Sequence, residues 1–238
     1  MKKIAVIIAG GIGVRMGHDI PKQFITVEKK PIIIYTLEAF QKHPEIDSIV
    51  TVCVAGWQEI LRTYAKQYNI SKLESIVTGG RNGQESIKNG INEVKNLGYD
   101  DNDIVLIHDA IRPMVSDDII SDNIVKCAQY GNATAVAPCT TVVLGKTTEE
   151  YSTEVVDREK LYLTQTPQAF KLGEILDAHK EAQERGLTNA VASCSLFVEL
   201  GRKVYYSYGS ETNIKLTRPG DIEIFNALLK VQKSGDKK

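Results

Sequence analysis

The chain has 238 residues, of which 42% are apolar and 25% are charged, a balance that is ordinary for a globular protein of one large or two small domains. Its formal net charge of −1 excludes a bulk attraction to nucleic acid or anionic membranes, and no apolar run approaches the roughly 20 residues that span a bilayer. The four scattered cysteines form no CxxC or His-spaced pair, so the sequence indicates neither a zinc site nor a disulfide framework, and a reducing, cytoplasmic location fits.

Strand-like and helix-like segments alternate from the N-terminus onward. The predicted strands are runs rich in β-branched residues at 4–9, 48–55, 74–80, 103–110 and 133–138. The predicted helices are amphipathic segments at 31–43, 57–68, 84–98 and 116–131. This alternation predicts an α/β fold, with a mostly parallel sheet and helices on both of its faces.

The alternation breaks at about 139–163, where two threonine- and valine-rich arms flank a polar, charged middle. This pattern predicts a β-hairpin that projects from the sheet. Three helical segments and one strand complete the chain, with helices at 172–186, 195–201 and 221–233 and the strand at 203–209. Because no repeat or linker is visible, we expect a single domain over 1–238 with a β-arm at about 139–157.

A glycine-rich stretch, AGGIGVRMG, follows the first predicted strand at residues 9–17. Its spacing is neither the GxGxxG of dinucleotide-binding proteins nor the GK[ST]-terminated P-loop. The backbone N–H groups of such a loop can surround an anion, and Arg15 and Lys22 can add positive charge for a phosphate. The alternatives are a surface turn for the loop and a solvated surface role for Lys22.

Polar residues follow the fourth predicted strand in the segment IHDAIRP, at 107–113. Asp109 ends this strand, and ligands of parallel sheets bind beyond such carboxyl ends. Its carboxylate can hold Mg²⁺ on a triphosphate, or it can cap a turn or helix. Arg112 can pair with Asp109 or bind a substrate phosphate, and His108 is expected to be a packed, hydrogen-bonded residue rather than a ligand.

Three further segments carry candidate binding residues. In GGRNGQESIKNG (79–90), Gly80 and Ser86 can hold a flat ring, although composition alone favours an ordinary helix start. Lys215 is predicted to lie mid-strand in the apolar stretch NIKLT, where a phosphate would be a suitable partner for its charge. Arg158 ends the predicted arm, where the alternative is a surface role.

Four motifs in fixed order resemble one enzyme family. AGGIGVRMG…PKQF, HDAIRP, TQTPQAF and NIKLTRPGD resemble the cytidylyltransferases of the 2-C-methyl-D-erythritol 4-phosphate type, a group that includes the ribitol-5-phosphate cytidylyltransferases. The resemblance runs from about residue 3 to about 230. It implies a Rossmann-like nucleotidyltransferase fold, CTP as substrate, Mg²⁺, and an arm that clasps a second subunit in a homodimer.

The resemblance also implies a role for each matching residue. CTP is expected to contact Ala9, Gly10, Gly11, Gly13, Arg15, Lys22, Gly80, Ser86 and Asp109. The second substrate is expected to contact Arg112, Thr141, Arg158, Thr166 and Lys215, with Arg158 reaching into the second subunit's site. Arg15, Lys22 and Lys215 are the expected catalytic residues, and Asp109 the expected Mg²⁺ ligand. In the implied reaction, an acceptor phosphate attacks the α-phosphorus of CTP in line and pyrophosphate leaves, so positioning and positive charge carry the rate.

Three departures from the family pattern bear on the second substrate and the base. The family usually has arginine where Gly83 stands, so Arg81 is the candidate replacement. The usual Asp-Thr reads Thr140-Thr141 here, and the usual Thr-Asp-[Asp/Glu] reads Val191-Ala192-Ser193. The absent carboxylates, together with AGG in place of AAG, favour D-ribitol 5-phosphate over 2-C-methyl-D-erythritol 4-phosphate as the acceptor.

Two alternatives remain beside this hypothesis. One is a methylerythritol enzyme of isoprenoid biosynthesis, in place of a ribitol enzyme of teichoic acid or capsule biosynthesis. The other is a nucleotide-binding regulator without catalysis, against which the presence of Arg15, Lys22, Asp109 and Lys215 argues.

Overall fold

A computed structural model describes residues 1–11 and 20–235 of the chain. The strands in this part are β1 (Lys3–Ala9), β2 (Thr26–Val27), β3 (Lys30–Pro31), β4 (Ser48–Cys53), β5 (Leu73–Thr78), β6 (Ile104–Asp109), β7 (Asn132–Pro138), β8 (Val143–Gly145), β9 (Glu154–Val156), β10 (Tyr162–Lys171) and β11 (Tyr206–Tyr208). The helices are α1 (Ile32–Lys42), α2 (Gln58–Gln67), α3 (Gly83–Asn96), α4 (Asp117–Tyr130), α5 (Leu172–Glu184), α6 (Ser193–Glu199) and α7 (Pro219–Gly235). None of these helices is both long and apolar enough to cross a membrane.

The main sheet of the described part has the strand order β11-β7-β10-β6-β1-β4-β5. Strand β1 lies between β4 and β6 and runs parallel to both, with Ile8 opposite Asp109 and Ala9 opposite Cys53. Strand β10 runs antiparallel to its neighbours β6 and β7, whereas β11 is parallel to β7. The predicted mostly parallel sheet is therefore confirmed, and β10 is its antiparallel strand.

Both faces of the sheet are covered by helices, as predicted. Alternate residues of β1 point to opposite faces, so Ile4 and Val6 pack in a cluster with α3, α5 and α6, while Ala5 and Ile7 pack in a second cluster with α1, α2 and α4. Each fully buried aliphatic side chain contributes about 1.5–3 kcal/mol to folding. Burial on both faces explains why these strands are continuous apolar runs rather than alternating ones.

Two helix starts lie at the carboxyl edge of the sheet and shape the region around it. Ser116 is the N-cap of α4, as predicted, and its hydroxyl accepts a hydrogen bond from the backbone N–H of Ile119. The side chain of Asn82 caps α3 by accepting the N–H of Glu85 at 2.8 Å. Such caps satisfy backbone donors that the first turn of a helix leaves without partners.

Three predictions of local structure need correction. The ten-residue strand β10 has no counterpart among the predicted strands, although its sequence contains the motif TQTPQAF. The strand expected over 203–209 is only three residues long, Tyr206–Tyr208. Lys215 lies in a segment without strand structure rather than in the middle of a strand.

The residues between β7 and β10 form a short two-stranded ribbon. Strands β8 and β9 pair antiparallel, with Val143 opposite Val156 and Gly145 opposite Glu154. Apolar side chains of this segment are exposed, Val155 among the most exposed at 71%. The hairpin pairing is as expected, and its role as an arm that clasps a second subunit stays a prediction.

Candidate active site

The carboxyl ends of the parallel strands bring several predicted site residues together. Asp109 is the last residue of β6 and lies opposite Ile8, the second-last residue of β1. Gly10, which follows β1, approaches Gly79, which follows β5, so closely that a Cβ added to Gly10 would lie 3.3 Å from the Gly79 Cα. The expected convergence of these strand ends at one edge of the sheet is therefore observed.

A carboxylate with two cations forms the charged part of this edge. The Lys215 Nζ lies 3.1 Å from Asp109 Oδ1 and 3.0 Å from Oδ2. The Arg112 Nε donates to Asp109 Oδ2 at 3.2 Å. The Arg112 side chain is 11% exposed and the Lys215 side chain 42%, so the lysine is the more accessible cation. With one negative and two positive charges, the cluster is suited to an anion.

Asp109 stays ionised within this cluster. Burial acts to raise the pKa of its carboxyl, but the positive charges of Lys215 and Arg112, together with the Lys215 hydrogen bond, hold that pKa below its ordinary value. The carboxylate is therefore charged at neutral pH. It can orient both cations before any ligand binds.

A chain of hydrogen bonds lies beneath the charged cluster. The Asp109 backbone N–H donates to Thr166 Oγ1 at 3.0 Å, and Thr166 Oγ1 lies 3.1 Å from His108 Nδ1. The other ring nitrogen of His108, Nε2, is 3.2 Å from the Arg112 carbonyl oxygen. His108 is fully buried, and burial lowers its pKa to about 4, so its ring is neutral at physiological pH. It is packed and hydrogen-bonded, as the sequence indicates.

The segment that carries Lys215 is held by the turn after β6 instead of by a strand ladder. Arg112 Nη1 donates to the Asn213 carbonyl oxygen at 2.7 Å, and the Leu216 N–H donates to the Ile111 carbonyl oxygen at 2.9 Å. These bonds bring a residue 106 positions away to Asp109. They also explain why the alternating pattern NIKLT does not form a strand here.

A pocket of about 570 Å³ opens beside the cluster. Its lining combines polar and apolar side chains: Arg112, Ala137, Pro138, Thr140, Leu163, Thr164, Gln165, Glu211, Asn213, Ile214, Lys215, Thr217, Arg218 and Asp221. Two of these residues, Glu211 and Asp221, are carboxylates that the sequence analysis did not assign to the site. Asp221 Oδ2 accepts the backbone N–H groups of Thr217 and Arg218 at the start of α7, whereas Glu211 is exposed.

The residues near α3 that are expected to bind the nucleotide are tightly packed against one another. The Gly80 N–H donates to Ser86 Oγ at 3.0 Å, and the Ser86 hydroxyl donates to the Asn82 carbonyl oxygen at 2.8 Å. A Cβ on Gly10 would lie 3.0 Å from Ser86 Oγ, which is tighter than ordinary packing allows. The absence of a side chain at Gly10 thus permits β1 and α3 to approach each other.

Some of the residues expected to bind the triphosphate lie outside the part of the chain that the structure describes. Gly13 and Arg15 lie outside the described residues. Lys22 begins a single 3-10 turn, Lys22–Phe24. Its neighbour Gln23, which the sequence analysis missed, is buried and donates to the carbonyl oxygens of Ala9 at 2.7 Å and Gly11 at 3.1 Å. Gln23 therefore fixes the backbone next to Lys22 against the end of β1.

Arg81, the candidate replacement for an arginine at position 83, lies just before α3 and is bound to Glu85 in the first turn of that helix. Its Nε and its backbone N–H both donate to Glu85 Oε2, at 3.0 and 2.9 Å. The Arg81 side chain is 92% exposed. Gly83 is the first residue of α3, with open space around its Cα.

The remaining predicted acceptor residues do not line the pocket, although Arg158 contacts Thr140, which does. Arg158 Nη1 donates to the Thr140 carbonyl oxygen of the same chain at 3.0 Å. Thr140 lines the pocket, whereas Thr141 is an exposed neighbour outside its lining. Val191-Ala192-Ser193 is likewise outside the lining, and the segment before it is held by Gln84, which bonds both the Leu187 carbonyl oxygen and the Ala190 N–H at 2.8 Å.

Two polar residues that sequence reasoning missed connect the pocket to the cluster. Asn213 Nδ2 donates to the Thr166 carbonyl oxygen at 2.9 Å and to Gln165 Oε1 at 3.2 Å. Gln165 Nε2 in turn donates to the Ser210 carbonyl oxygen at 2.8 Å. Their contacts join residues 45 or more positions apart, so no local sequence pattern reveals them. The sequence indicated these two residues only through their positions near Thr166 and Lys215 in the quoted motifs.

Comparison with known proteins agrees with the geometry. A family model described as IspD, 2-C-methyl-D-erythritol 4-phosphate cytidylyltransferase, matches residues 3–231. The ribitol-5-phosphate cytidylyltransferase of Lacticaseibacillus paracasei is 42% identical over 228 residues, which are 95% of this chain and 97% of that protein. The 2-C-methyl-D-erythritol 4-phosphate cytidylyltransferase of Clostridium botulinum strain Langeland is 38% identical over 231 residues, 96% of this chain and 97% of that protein.

The fold is also similar to a solved structure. The crystal structure of 2-C-methyl-D-erythritol 4-phosphate cytidylyltransferase from Thermus thermophilus aligns with a TM-score of 0.77 at 26% identity. The alignment covers 97% of this chain and all of that one. The described sheet and helices are thus those of a nucleotidyltransferase fold.

Proposed function

This chain belongs to the family of 2-C-methyl-D-erythritol 4-phosphate cytidylyltransferases, and from that premise we propose that it transfers CMP from CTP to D-ribitol 5-phosphate. A phosphate oxygen of the acceptor forms a bond to the α-phosphorus of CTP. The bond from that phosphorus to the oxygen bridging the β-phosphorus breaks, and its electrons leave with pyrophosphate. The products are CDP-ribitol and pyrophosphate.

The observation that carries this proposal is the charged cluster at the mouth of the pocket. Lys215 and Arg112 both contact the Asp109 carboxylate, beside a cavity large enough for a small phosphorylated polyol. In-line transfer between two polyanions requires that their charges be neutralised and their oxygens aligned. Fixed cations supply both, and no covalent intermediate with the protein is needed.

We assign the binding of CTP and the binding of the acceptor phosphate to different residues. Gly80, Ser86 and Gly10 hold the cytosine end of CTP, and the glycine loop with Arg15 and Lys22 holds its triphosphate. Lys22 stabilises the charge that develops on the α-phosphate and its leaving group. Arg112, Arg158 and Lys215 hold the acceptor phosphate so that its oxygen faces the α-phosphorus.

Asp109 fits a Mg²⁺ ion that arrives with CTP. Magnesium at nucleotide sites typically takes one or two carboxylates and completes its shell with phosphate oxygens and water. Asp109 is one such carboxylate, and its pKa lies below the ordinary value, so it is ionised and able to bind a cation. When bound, the ion neutralises charge on the phosphates, and Asp109 would be the residue that holds it.

Two observations favour D-ribitol 5-phosphate over 2-C-methyl-D-erythritol 4-phosphate as the acceptor: the sequence identity to relatives and the residues expected around the acceptor. The ribitol enzyme of L. paracasei is 42% identical to this chain and the methylerythritol enzyme of C. botulinum 38%. The family's usual carboxylates are absent at Thr140 and in Val191-Ala192-Ser193. The pocket instead carries Glu211 on a different segment, where an exposed carboxylate can accept hydrogen bonds from polyol hydroxyls.

A homodimer through the β8–β9 ribbon is part of the proposal. Val142, Leu144 and Val155 are exposed on the ribbon, and such apolar strands are normally covered by a partner. Light scattering should give a dimer, which the ribbon variant Leu144→Glu/Val155→Glu converts to monomer. A monomeric wild-type chain at micromolar concentration would contradict the dimer.

The proposed dimer also tests where Arg158 acts. If Arg158 serves the second subunit's site, a mixture of inactive Arg158→Ala and inactive Lys215→Ala chains should regain activity after subunit exchange, because one site per heterodimer has both residues. Equal inactivity of the mixture would place Arg158 with the Thr140 rim of its own chain. We propose a cytoplasmic location as well, since the four cysteines are free, as is usual in a reducing compartment.

The direct test is pyrophosphate release with each of the four nucleoside triphosphates, Mg²⁺ and D-ribitol 5-phosphate. CTP should be strongly preferred. A preference for ATP, GTP or UTP would contradict the base assignment. Binding of CTP without pyrophosphate release from any polyol phosphate would favour the inactive regulator.

A further inference from the structure

We propose that His108 is a positioning residue that holds Asp109 and Arg112 in the geometry the transfer requires. The inference rests on the proposed function, because it assigns Asp109 and Arg112 to phosphate and metal binding. His108 does not contact the charged groups itself. It acts through the Thr166 hydroxyl and through the backbone of the turn after β6.

The hydrogen bonds of His108 fix one tautomer of its ring. A carbonyl oxygen can only accept, so the contact of 3.2 Å with the Arg112 oxygen requires a proton on Nε2. Nδ1 of the neutral ring is then an acceptor and takes the hydroxyl proton of Thr166, 3.1 Å away. The same Thr166 oxygen accepts the Asp109 N–H at 3.0 Å, so each donor in the chain meets one acceptor.

The ring therefore joins both ends of the turn that carries the charged groups. The turn is closed by the Arg112 N–H, which donates to the Asp109 carbonyl oxygen at 3.0 Å. His108 Nε2 holds the Arg112 end, and Nδ1 holds the Asp109 end through Thr166 of β10. The spacing between the carboxylate and the guanidinium is thus set from a buried ring, which also packs against Phe40 at 5.0 Å between ring centroids.

A second histidine in the same chain provides a matched control. His179 of α5 is also buried, with 4% of its surface exposed. Its Nε2 has no hydrogen-bond partner among the described residues. His179 lines a separate pocket with Lys88 of α3 and Gln183 of α5. Replacing His179 tests the cost of disturbing a buried imidazole without touching the turn after β6.

Two conservative substitutions separate the two hydrogen bonds of His108. An asparagine amide lies where Nδ1 lies, so His108→Asn can still accept the Thr166 hydroxyl but loses the bond to the Arg112 carbonyl. A glutamine amide reaches the place of Nε2, so His108→Gln can donate to that carbonyl but loses Thr166. His108→Leu fills the space and makes neither bond.

The experiment compares these variants with His179→Leu in the full chain by steady-state kinetics and thermal unfolding. His108→Leu should lower kcat by about 10- to 100-fold, the cost of misplaced reacting groups, while KM for CTP changes less than threefold. His108→Asn and His108→Gln should each recover part of that loss. His179→Leu should lower the unfolding temperature but leave kcat within twofold.

Equal effects of His108→Leu and His179→Leu on kcat would overturn the proposal, as would no recovery by either conservative variant. The nitrogen NMR spectrum of the histidine-labelled wild-type chain is a readout that needs no variant and no activity. It should show a neutral His108 with the proton on Nε2, and a proton on Nδ1 would overturn the proposal. If the proposed function fails, the wild type releases no pyrophosphate while this spectrum keeps its expected form, so the two failures are distinguishable.

Discussion

The nucleotide half and the acceptor half of the candidate site are built from different forces. Around Gly10, Gly79 and Ser86, the proposed nucleotide half is tightly packed, because an added Cβ on Gly10 would lie 3.0 Å from Ser86 Oγ and 3.3 Å from the Gly79 Cα. Around Asp109, Arg112 and Lys215, the acceptor half depends on charges held within about 3 Å of one another. From this comparison we expect small steric changes to lower the affinity for CTP, whereas loss of a charge should lower kcat.

The largest effect is expected from removing a charge that faces the transferred group. Lys22→Ala should lower kcat by about two to three decades, the scale observed when one preorganised donor to a developing charge is lost. KM for CTP should change much less, because the interaction is strongest in the transition state. Lys66→Ala, an exposed lysine of α2, is the control for a simple change in net charge.

Steady-state kinetics at varied CTP concentration distinguish the two roles of Lys22. Equal losses in kcat and in CTP affinity would make it a ground-state binder. That outcome would contradict the expectation that loss of a charge lowers the rate more than it lowers substrate affinity.

The next expected effect is a loss of folding stability in acid. Burial lowers the pKa of His108, beneath the acceptor half, and of His179 to about 4 each. Below the usual histidine pKa of about 6.5, the unfolded chain binds protons that the folded chain does not. The stability contributed by each neutral ring is therefore full above pH 6.5, is lost as the pH drops towards 4, and falls no further below that pH. Between pH 6.5 and 4, protonation of each histidine in the unfolded chain should lower the free energy of unfolding by about 3 kcal/mol.

Urea unfolding at pH 7.5, 5.5 and 4.5 measures this loss. His179→Leu should flatten the pH dependence by about half, since one of the two titrating rings is gone. An unchanged free energy of unfolding between pH 6.5 and 4.5 would mean that neither ring is buried in its neutral form.

The smallest expected effect comes from one methyl group in the nucleotide half. Gly10→Ala places a Cβ 3.0 Å from Ser86 Oγ, so Ser86 or the end of β1 must shift. We expect KM for CTP to rise about tenfold, at the lower end of the 1–3 kcal/mol that overpacking costs, with KM for the acceptor unchanged. Gly83→Ala, in open space at the start of α3, should leave both constants near wild type.

Strands and helices with a clear apolar period were predictable from the sequence, and β10 was not. Buried strands such as β1 and β6 are short continuous runs of branched residues, which local sequence reveals. The sequence of β10, YLTQTPQAFK, contains two glutamines, two threonines and a proline. Its pairing with β6 and β7 comes from residues far away in the chain, and no local period records such contacts.

Three of the predicted site residues lie together in the structure, but the hydrogen bonds that connect them were not predictable from the sequence. The motifs located Asp109, Arg112 and Lys215, and the structure joins them. The residues that hold them together, Asn213 and Thr166 through its hydroxyl, act across separations of 47 to 101 positions. For the same reason Lys215, predicted in a strand, lies in a segment shaped by tertiary hydrogen bonds.

The central claim concerns the acceptor, and one comparison of kcat/KM tests it most directly. D-ribitol 5-phosphate and 2-C-methyl-D-erythritol 4-phosphate are measured side by side with saturating CTP and Mg²⁺. A site that bonds a hydroxyl can reject an analogue lacking it by up to about four to five decades, because its polar groups are left unpaired. The account predicts a higher kcat/KM for D-ribitol 5-phosphate, and faster turnover of 2-C-methyl-D-erythritol 4-phosphate would contradict it.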